Sequence, residues 1–397
     1  MLMRAETDSA LFTNTKKALK VLLDHGADIN ILSADGYAPL HEAAASPSRT
    51  GLLVDYGADP KLEKPNNGCQ PLHLAARAGK ADVCNLLISA GADINAASKD
   101  GLTPLHEAAQ HAQAEIVELL IAASAACMAE DKQHKTPLSA ALTTTFGPAA
   151  RPASFADDKL VATVSGLLSH GAGTRFRKQA WPELAEAASA GHAAVVQLLI
   201  NEGAPASSEA LAAAAVWPAG GCQHEVVVTL LGRGADPKAQ DKGGFIPHHD
   251  AASKGQLKTI RVLLQDKRTP VNEGVHDGLT ALHLAASDDK EGVTKLLIGF
   301  GADVEKRSTV DGRTALHYAA RWASQNAASA LLAASASFTT VDNSGKTPLH
   351  LAVAAPVQEV DELHRSLCTP TMCACANYQQ VVQHAATYQM RVRLGKH

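Results

Sequence analysis

The sequence has few aromatic and few charged side chains, which make up 4% and 19% of its 397 residues. The apolar share of 46% is too high for a disordered chain, and the mean hydropathy is -0.06. The shortage of large side chains argues against a conventional thick core. Alanine, by contrast, makes up roughly a fifth of the chain. We therefore expect helices that pack closely against one another.

The chain also lacks an excess of positive charge, a long apolar run and a dense set of cysteines. Its net charge is -4, which argues against nucleic-acid binding. No stretch of about 20 apolar residues predicts membrane insertion, and the N-terminal segment lacks the apolar centre of a signal peptide. Seven scattered cysteines do not fit a secreted disulfide framework. We expect a soluble protein of the cytoplasm, with the nucleus as an alternative.

The chain repeats itself with a period of 33 residues. A turn, a Leu-His pair followed by two alanines, and an apolar stretch ending in Gly-Ala return in the same order. The leucine of the Leu-His pair, or its counterpart, stands at Leu72, Leu105, Leu138, Leu282, Leu316 and Leu349. Such a period indicates small units that complete their cores only by stacking on their neighbours.

The residues of each unit predict two short helices. Asp-Gly pairs supply a turn, and Thr103 places a capping hydroxyl before Pro104, which is tolerated at the first helical position. Val83, Leu86 and Leu87 have the i, i+3, i+4 spacing of one helix face. Glycines end this second helix in the left-handed conformation, and they stand at Gly91, Gly203, Gly234 and Gly301.

The linked motif Asp/Ser-Gly-x-Thr-Pro/Ala-Leu-His-x-Ala-Ala, followed by Val-x-x-Leu-Leu-x-x-Gly-Ala-Asp, resembles the ankyrin repeat over about residues 16–363. The resemblance implies an all-α solenoid of about ten helix-turn-helix units with short turn or hairpin tips, stacked as a curved array. It also implies that the protein binds other proteins.

The units divide the chain unevenly. We expect an N-terminal half-repeat cap at 1–34, repeats at 35–142, an insertion loop at 143–158, repeats at 159–363 and a tail at 364–397. The insertion is rich in Pro, Gly, Ser and Thr, and the helix should resume near Lys159. Repeats within 179–240 have lost the Thr-Pro-Leu-His motif but keep the helical pattern. For the tail, a capping helix and a frayed end both stay open.

Seven of the 18 histidines occupy one position of the repeat: His41, His73, His106, His249, His283, His317 and His350. The resemblance implies that each imidazole hydrogen-bonds the backbone of adjacent turns and repeats, so we predict no metal site from them. His248 stands where other units have leucine, which predicts a weakened repeat or a hinge. Cys368, Cys373 and Cys375 do not have the spacing of a standard zinc module.

Motifs of catalysis and cofactor binding are missing from the sequence. It contains no nucleophile elbow, phosphate loop, dinucleotide fingerprint or kinase set. We therefore predict no enzyme activity, no cofactor and no metal. An enzyme hidden within 143–222 would need a cluster of ionisable residues there, and the commonest residue in that range is alanine.

Three asparagines offer a modification site. Asn30, Asn95 and Asn272 end Gly-Ala-Asp-Ile-Asn or Pro-Val-Asn segments. The resemblance implies that an asparaginyl hydroxylase can modify this position. The alternative, which we favour, is a side chain that bonds its own turn.

A partner surface is expected along the tips and the ends of the first helices, as the resemblance implies. Tyr37, Phe245 and Arg313 follow tip glycines, and Arg321 and Trp322 end a first helix. Tyrosine, tryptophan and arginine dominate protein interfaces. We predict a contact patch centred on Phe245, Arg313, Arg321 and Trp322, while Trp322 folding down over a neighbouring repeat stays an equal alternative.

The sequence thus predicts a monomeric, non-catalytic scaffold or adaptor that binds a partner protein of unknown identity. One alternative is a substrate-receptor subunit that docks through the tail, where Arg365 to Cys368 faintly resemble the Leu-Cys core of a SOCS box. Another is a fragment of a larger ankyrin-containing enzyme or channel.

Overall fold

The computed structural model describes residues 16–143, 155–172, 181–216, 223–240 and 244–354. The predicted tail at 364–397, with its three cysteines, lies outside these ranges, as does most of the predicted insertion loop. The described residues are helical and contain no strand. One isolated antiparallel bridge joins Gly274 to Thr280 in a tip. The expected all-α fold is confirmed within these ranges.

Twenty helices follow one another in the described ranges. In the N-terminal part they are α1 (16–24), α2 (Pro39–Glu42), α3 (Pro47–Asp55), α4 (Pro71–Ala78), α5 (Ala81–Ser89), α6 (Pro104–Gln110), α7 (Ala114–Ala122), α8 (Pro137–Leu142), α9 (Phe155–Leu167), α10 (Pro182–Ala190) and α11 (Ala193–Asn201). The others are α12 (Ser208–Val216), α13 (Gln223–Gly232), α14 (Pro247–Lys254), α15 (Leu257–Gln265), α16 (Ala281–Ser287), α17 (Glu291–Gly299), α18 (Ala315–Arg321), α19 (Gln325–Ala333) and α20 (Pro348–Ala354). A short 3-10 turn, Ala43–Ala45, extends α2.

The chain divides into two compact units, residues 1–187 with 194–205 and residues 188–193 with 206–397. In the first unit the first helices α4, α6 and α8 pack side by side, and the second helices α7 and α9 do the same. In the second unit α14, α16, α18 and α20 form one row, and α13, α15, α17 and α19 form the other. Each repeat therefore completes its core against its neighbours.

Alanine and leucine form the contacts between first helices. Leu72, Ala75 and Ala76 on α4 are fully buried, as are Ala108 and Ala109 on α6. The small alanine side chains let neighbouring helices approach closely, which explains the composition. In the second helix of the same repeat the buried face is Val83, Cys84 and Leu87, whereas the predicted Leu86 is only half-buried.

The helix ends follow the sequence signals. The Thr103 hydroxyl accepts a hydrogen bond from the His106 N–H, so it caps α6 as expected. Gly91 has φ +88°, and no atom lies within 4 Å of the position a Cβ would take. The corresponding turns at Ser124 and Ser335 have positive φ with a side chain, as do Ala112, Asp289 and Ala323 in the turns between first and second helices. These positions hold a strained conformation that glycine would adopt more easily.

The tips are joined by backbone hydrogen bonds from one repeat to the next. The Lys132 N–H donates to the Asp100 carbonyl at 2.9 Å, and the Asn343 N–H donates to the Asp311 carbonyl at 2.9 Å. This close approach leaves no room beside the tip glycine. A Cβ on Gly101 would lie 2.9 Å from the Lys132 nitrogen.

Helix α9 begins earlier than expected. It starts at Phe155, whereas the sequence predicted a loop through residue 158 and a helix from about Lys159. Asp158 then falls in the first helical turn, where a carboxylate is favourable next to the positive end of the helix dipole. The predicted loop is therefore too long at its C-terminal end.

Candidate functional site

The repeated histidine links each first helix to the next tip. Its Nδ1 accepts the N–H of the residue before the helix, for example that of Gln70 onto His73 at 3.1 Å. Its Nε2–H donates to a carbonyl of the following repeat, as from His73 to Leu102 at 3.0 Å. The second type of bond occurs at His41, His73, His106, His249, His283 and His317, over 3.0–3.2 Å. His350 makes the first type of bond, with Thr347.

These bonds fix the neutral tautomer that carries its proton on Nε2. The rings of His73, His106 and His317 are fully buried. Burial lowers the pKa of His283 to about 4, against the opposing effect of its bond to the Arg313 carbonyl. The repeat histidines therefore stabilise the fold by linking adjacent repeats, as the resemblance implied. Within the described residues, no three His, Cys, Asp or Glu side chains are grouped as metal ligands.

The two aromatic tip residues contact the histidine of their own repeat. The Tyr37 ring meets His41 edge-on at 6.3 Å, and the Lys64 ammonium lies 3.6 Å from the Tyr37 ring centre. The Phe245 ring meets His249 edge-on at 6.1 Å. Both aromatic rings are half-buried. Tyr37 and Phe245, predicted from the sequence as partner-surface residues, thus also have a contact within their own repeat.

Arg313 is held by two carboxylates. Its guanidinium lies 3.1 Å from Asp311 and 3.2 Å from Asp342, and its side chain is 17% exposed. Burial alone would raise the pKa of Asp342. Hydrogen bonds from Ser344, from the Lys346 N–H and from Arg313 instead hold that pKa well below its usual range. Arg313 thus joins two consecutive tips, a role that the sequence analysis did not foresee.

Arg321 and Trp322 remain on the surface. Trp322 follows the last residue of α18, and 53% of it is exposed. The Arg321 guanidinium lies 5.7 Å from the centre of the indole ring. Arg321 is also exposed. The pair forms an aromatic and cationic surface at the end of a first helix.

The three asparagines bridge repeats. The Oδ1 atoms of Asn30, Asn95 and Asn272 accept the N–H groups of Asp59, Ala126 and Asp303 at 2.8–3.0 Å. We expected such a side chain to bond its own turn, and that expectation is wrong. The donating N–H belongs to the next repeat because the segment after the second helix runs beside its counterpart there. All three residues are exposed.

Two carboxyl groups whose pKa is raised by burial lie in the degenerate repeats within 179–240. Burial raises the pKa of Glu183 to about 7, and this side chain is 2% exposed. Burial also raises the pKa of Glu186, although a hydrogen bond from the Ser139 hydroxyl at 2.9 Å opposes the shift. Ser139 stands where most repeats have histidine, so the bond to Glu186 replaces the usual bond to a tip carbonyl. Glu183 is inaccessible to a substrate in this conformation.

An ion pair that joins two repeats was not predicted from the sequence. Arg77 donates two hydrogen bonds to Glu107, at 2.7 and 2.8 Å. The Glu107 side chain is 1% exposed, whereas the Arg77 side chain is 45% exposed. Neither residue recurs at its repeat position in the neighbouring units, so the period gave no signal for the pair.

Comparison with known families supports the repeat architecture. A family model described as ankyrin repeats (3 copies) matches residues 8–98, 82–147, 211–308, 248–342 and 288–360. Together these ranges cover well over half of the chain. They leave out the middle, where the Thr-Pro-Leu-His motif is lost.

Individual relatives match only part of the chain. It is 36% identical over 135 residues to the nuclear factor NF-kappa-B p105 subunit of Gallus gallus, covering 33% of this chain and 14% of that protein. It is 37% identical over 123 residues to human neurogenic locus notch homolog protein 1, covering 31% of this chain and 5% of that protein. It is 38% identical over 87 residues to human NF-kappa-B inhibitor alpha, covering 21% of this chain and 27% of that protein. The matched part thus spans less than a third of each relative.

Proposed function

Because the chain belongs to the ankyrin-repeat family, a class of protein-interaction module, we propose that it is a non-catalytic scaffold or adaptor that captures a partner protein. Recognition takes place on the tips and first helices of the second unit. The observation that carries this proposal is the exposed pair Arg321 and Trp322, whose side chains the fold does not bury. Exposed tryptophan and arginine are the residues that contribute most to protein interfaces.

The tips add to this surface in a different way. Phe245 and Arg313 are anchored by His249 and by Asp311 and Asp342. Their side chains are therefore ordered before a partner arrives, which lowers the entropic cost of binding. Tyr37, in the first unit, is anchored in the same way by His41 and Lys64. We propose that Tyr37 contacts the partner separately from the surface on the second unit.

The test is the variant Trp322→Ala in affinity capture from native extract, followed by binding to the purified partner. We expect binding to weaken by about 2 kcal/mol, roughly thirty-fold, with a nearly unchanged melting temperature. Val228→Ala is the matched control, since Val228 is also 53% exposed but lies on the second helix α13. Unchanged partner binding, or a large loss of stability in Trp322→Ala, contradicts the proposal.

The proposal also includes a monomeric state and a location in the cytoplasm or nucleus. Cys69, Cys84 and Cys127 are free thiols, and burial raises the pKa of Cys84 to about 12. Such an unreactive thiol fits a reducing compartment. Within the described residues no helix is both long and apolar enough to cross a membrane. Subcellular fractionation and light scattering test the location and the monomer.

Hydroxylation of Asn30, Asn95 and Asn272 stays a proposal, supported by their exposure. The reaction adds oxygen at Cβ and leaves the amide free to keep its bond to the next repeat. Mass spectrometry of protein from its native cells would detect one added oxygen on the corresponding peptide. Its absence from all three peptides contradicts the proposal.

A substrate-receptor role is the alternative function, and it depends on the tail. The two functions are distinguished by the partners that co-purify with the full chain and with a chain ending at Leu363. A receptor loses one set of partners in the shorter chain, whereas a simple scaffold loses none.

A further inference from the structure

His248 is a buried imidazole without a hydrogen-bond partner. It lies on α14, is 0% exposed, and neither ring nitrogen has a donor or acceptor within reach. Neighbouring repeats place Leu282 and Leu316 at this position. The repeat histidines with a described neighbour make both of their bonds, whereas His248 is an unpartnered polar group at a buried position that the neighbouring repeats fill with leucine.

The ring of His248 connects to the tip of its repeat. It stacks on His249, with ring centres 4.5 Å apart and planes inclined by 29°. His249 accepts the Ile246 N–H at 3.2 Å and donates to the Glu273 carbonyl at 3.0 Å. Its ring edge also supports Phe245. Displacing His248 therefore disturbs the edge-on contact between His249 and Phe245.

No carboxylate among the described residues hydrogen-bonds His248, since neither of its ring nitrogens has a partner. On its own helix Asp250 is half-buried and Lys254 is exposed. The helices packed against α14 are α12, α15 and α16. Their charged groups Glu209, Lys258 and Arg261 are exposed, and His283 is bonded to the Arg313 carbonyl. After burial, the second cause that disfavours protonation of His248 is electrostatic repulsion by the adjacent His249 in its protonated form.

We propose that mild acid opens the repeat formed by α14 and α15 through protonation of His248, and that this opening withdraws Phe245 from the partner surface. The withdrawal of Phe245 matters for binding only if the proposed function holds. The opening itself is a property of the free protein.

The direction follows from proton linkage. Burial, with a smaller effect from His249, lowers the pKa of His248 from 6.5 to about 3. The open form, with an ordinary pKa, therefore takes up a proton below pH 6.5 while the closed form does not. The free energy that favours the closed repeat is therefore highest above pH 6.5, and it decreases progressively as the pH falls toward 3. Between pH 7.5 and pH 5 the opening constant should rise about thirty-fold from this group alone.

Hydrogen exchange read by mass spectrometry measures the opening on the full chain without any partner. Protection factors of the α14 and α15 amides are compared at pH 7.5 and pH 5, each corrected for the intrinsic exchange rate at that pH. We expect the pH-dependent loss of protection in the wild type to exceed that in His248→Leu by about thirty-fold. This variant restores the residue of neighbouring repeats, so it folds. His25→Leu, at an exposed histidine, should leave the pH dependence unchanged.

A gain-of-function variant checks the same position in another repeat. Leu282→His places an imidazole in the equivalent buried site of α16, and acid should then open α16 as well. Equal pH dependence in the wild type and His248→Leu overturns the proposal, as does an acid-insensitive Leu282→His. These readouts need no partner, so they stand apart from the Trp322→Ala binding test.

Discussion

At the scale of single residues, the molecule uses one side chain in several ways according to its surroundings. The repeat histidines bond backbone groups on both sides, whereas His248 has the same imidazole with no partner. The difference comes from position: one residue along the helix moves the ring from the tip to the apolar interior. A buried polar group without a partner costs about 1–3 kcal/mol. The sequence reveals this position because a histidine stands where other repeats have leucine.

The Arg77–Glu107 pair gives a prediction at this scale. Arg77→Ala leaves a carboxylate that is 1% exposed without its two hydrogen bonds. Breaking a fully buried pair costs about 3–5 kcal/mol, and the partial exposure of Arg77 reduces this to about 2 kcal/mol. Thermal unfolding of the full chain measures the loss. Arg77→Lys keeps the charge without the paired geometry and should recover part of it, and a loss below about 0.5 kcal/mol in Arg77→Ala would contradict the prediction.

The repeat period explains which residue roles the sequence revealed. The histidine position was predicted because it recurs in seven units, and the Asp-Gly turns and Gly-Ala helix ends recur in the same way. The Arg77–Glu107 pair, the Ser139–Glu186 bond and the anchoring of Arg313 each belong to a single pair of repeats in the part of the chain that the structure describes. Arg77 and Glu107 are 30 residues apart, Ser139 and Glu186 are 47 apart, and Arg313 and Asp342 are 29 apart, so no local pattern links them. Such contacts become visible only when the repeats are stacked.

At the scale of elements, two kinds of glycine have different structural reasons. Gly91 ends a second helix in open space, whereas Gly101 lies in a tip against the backbone of the next repeat. Both have positive φ, at +88° and +83°. The first needs glycine for its conformation alone. The second needs it for its conformation and for the space that a side chain would fill.

Alanine substitutions separate these two causes. Gly91→Ala should cost on the order of 1 kcal/mol from the positive φ. Gly101→Ala should cost about 2 kcal/mol more, because its Cβ meets the Lys132 nitrogen, which cannot move without breaking the bond between tips. Differential scanning calorimetry of both variants provides the comparison. Equal losses would show that the tips yield readily and that the close approach is not a constraint.

Element boundaries were harder to predict than element types. The sequence predicted the paired helices of nearly every unit, including α10 to α13 where the main motif is lost. It misplaced the start of α9, because Pro, Gly, Ser and Thr in the insertion mark a loop without marking where that loop ends. Acidic residues ahead of Lys159 extend the helix, and helix signals are weakest at the ends.

At the scale of the whole molecule, stability is distributed over repeats, each of which contacts only the neighbouring repeats. Repeat arrays of this kind gain stability as a sum of repeat and interface terms. The chain has two compact units. A change inside one unit should therefore leave the other unaffected.

Urea unfolding followed by hydrogen exchange can test this independence. His248→Leu should raise the urea midpoint of the second unit by removing an unpaired buried group, and leave the first unit unchanged. Gly101→Ala should do the reverse, lowering the midpoint of the first unit alone. A shift of both units by either variant would mean that the array unfolds as a single cooperative body.

The bonds that join repeats have an evolutionary consequence. Six of the repeat histidines donate to a backbone carbonyl of the next repeat. The tips at Lys99, Lys132, Thr309 and Asn343 donate to a backbone carbonyl of the preceding tip. Every amino acid carries that acceptor, so one copy can be duplicated, deleted or exchanged without matching changes in the adjoining copy. Genes of this kind can grow or shrink by recombination in steps of one unit, while surface positions such as Trp322 diversify at little cost to folding.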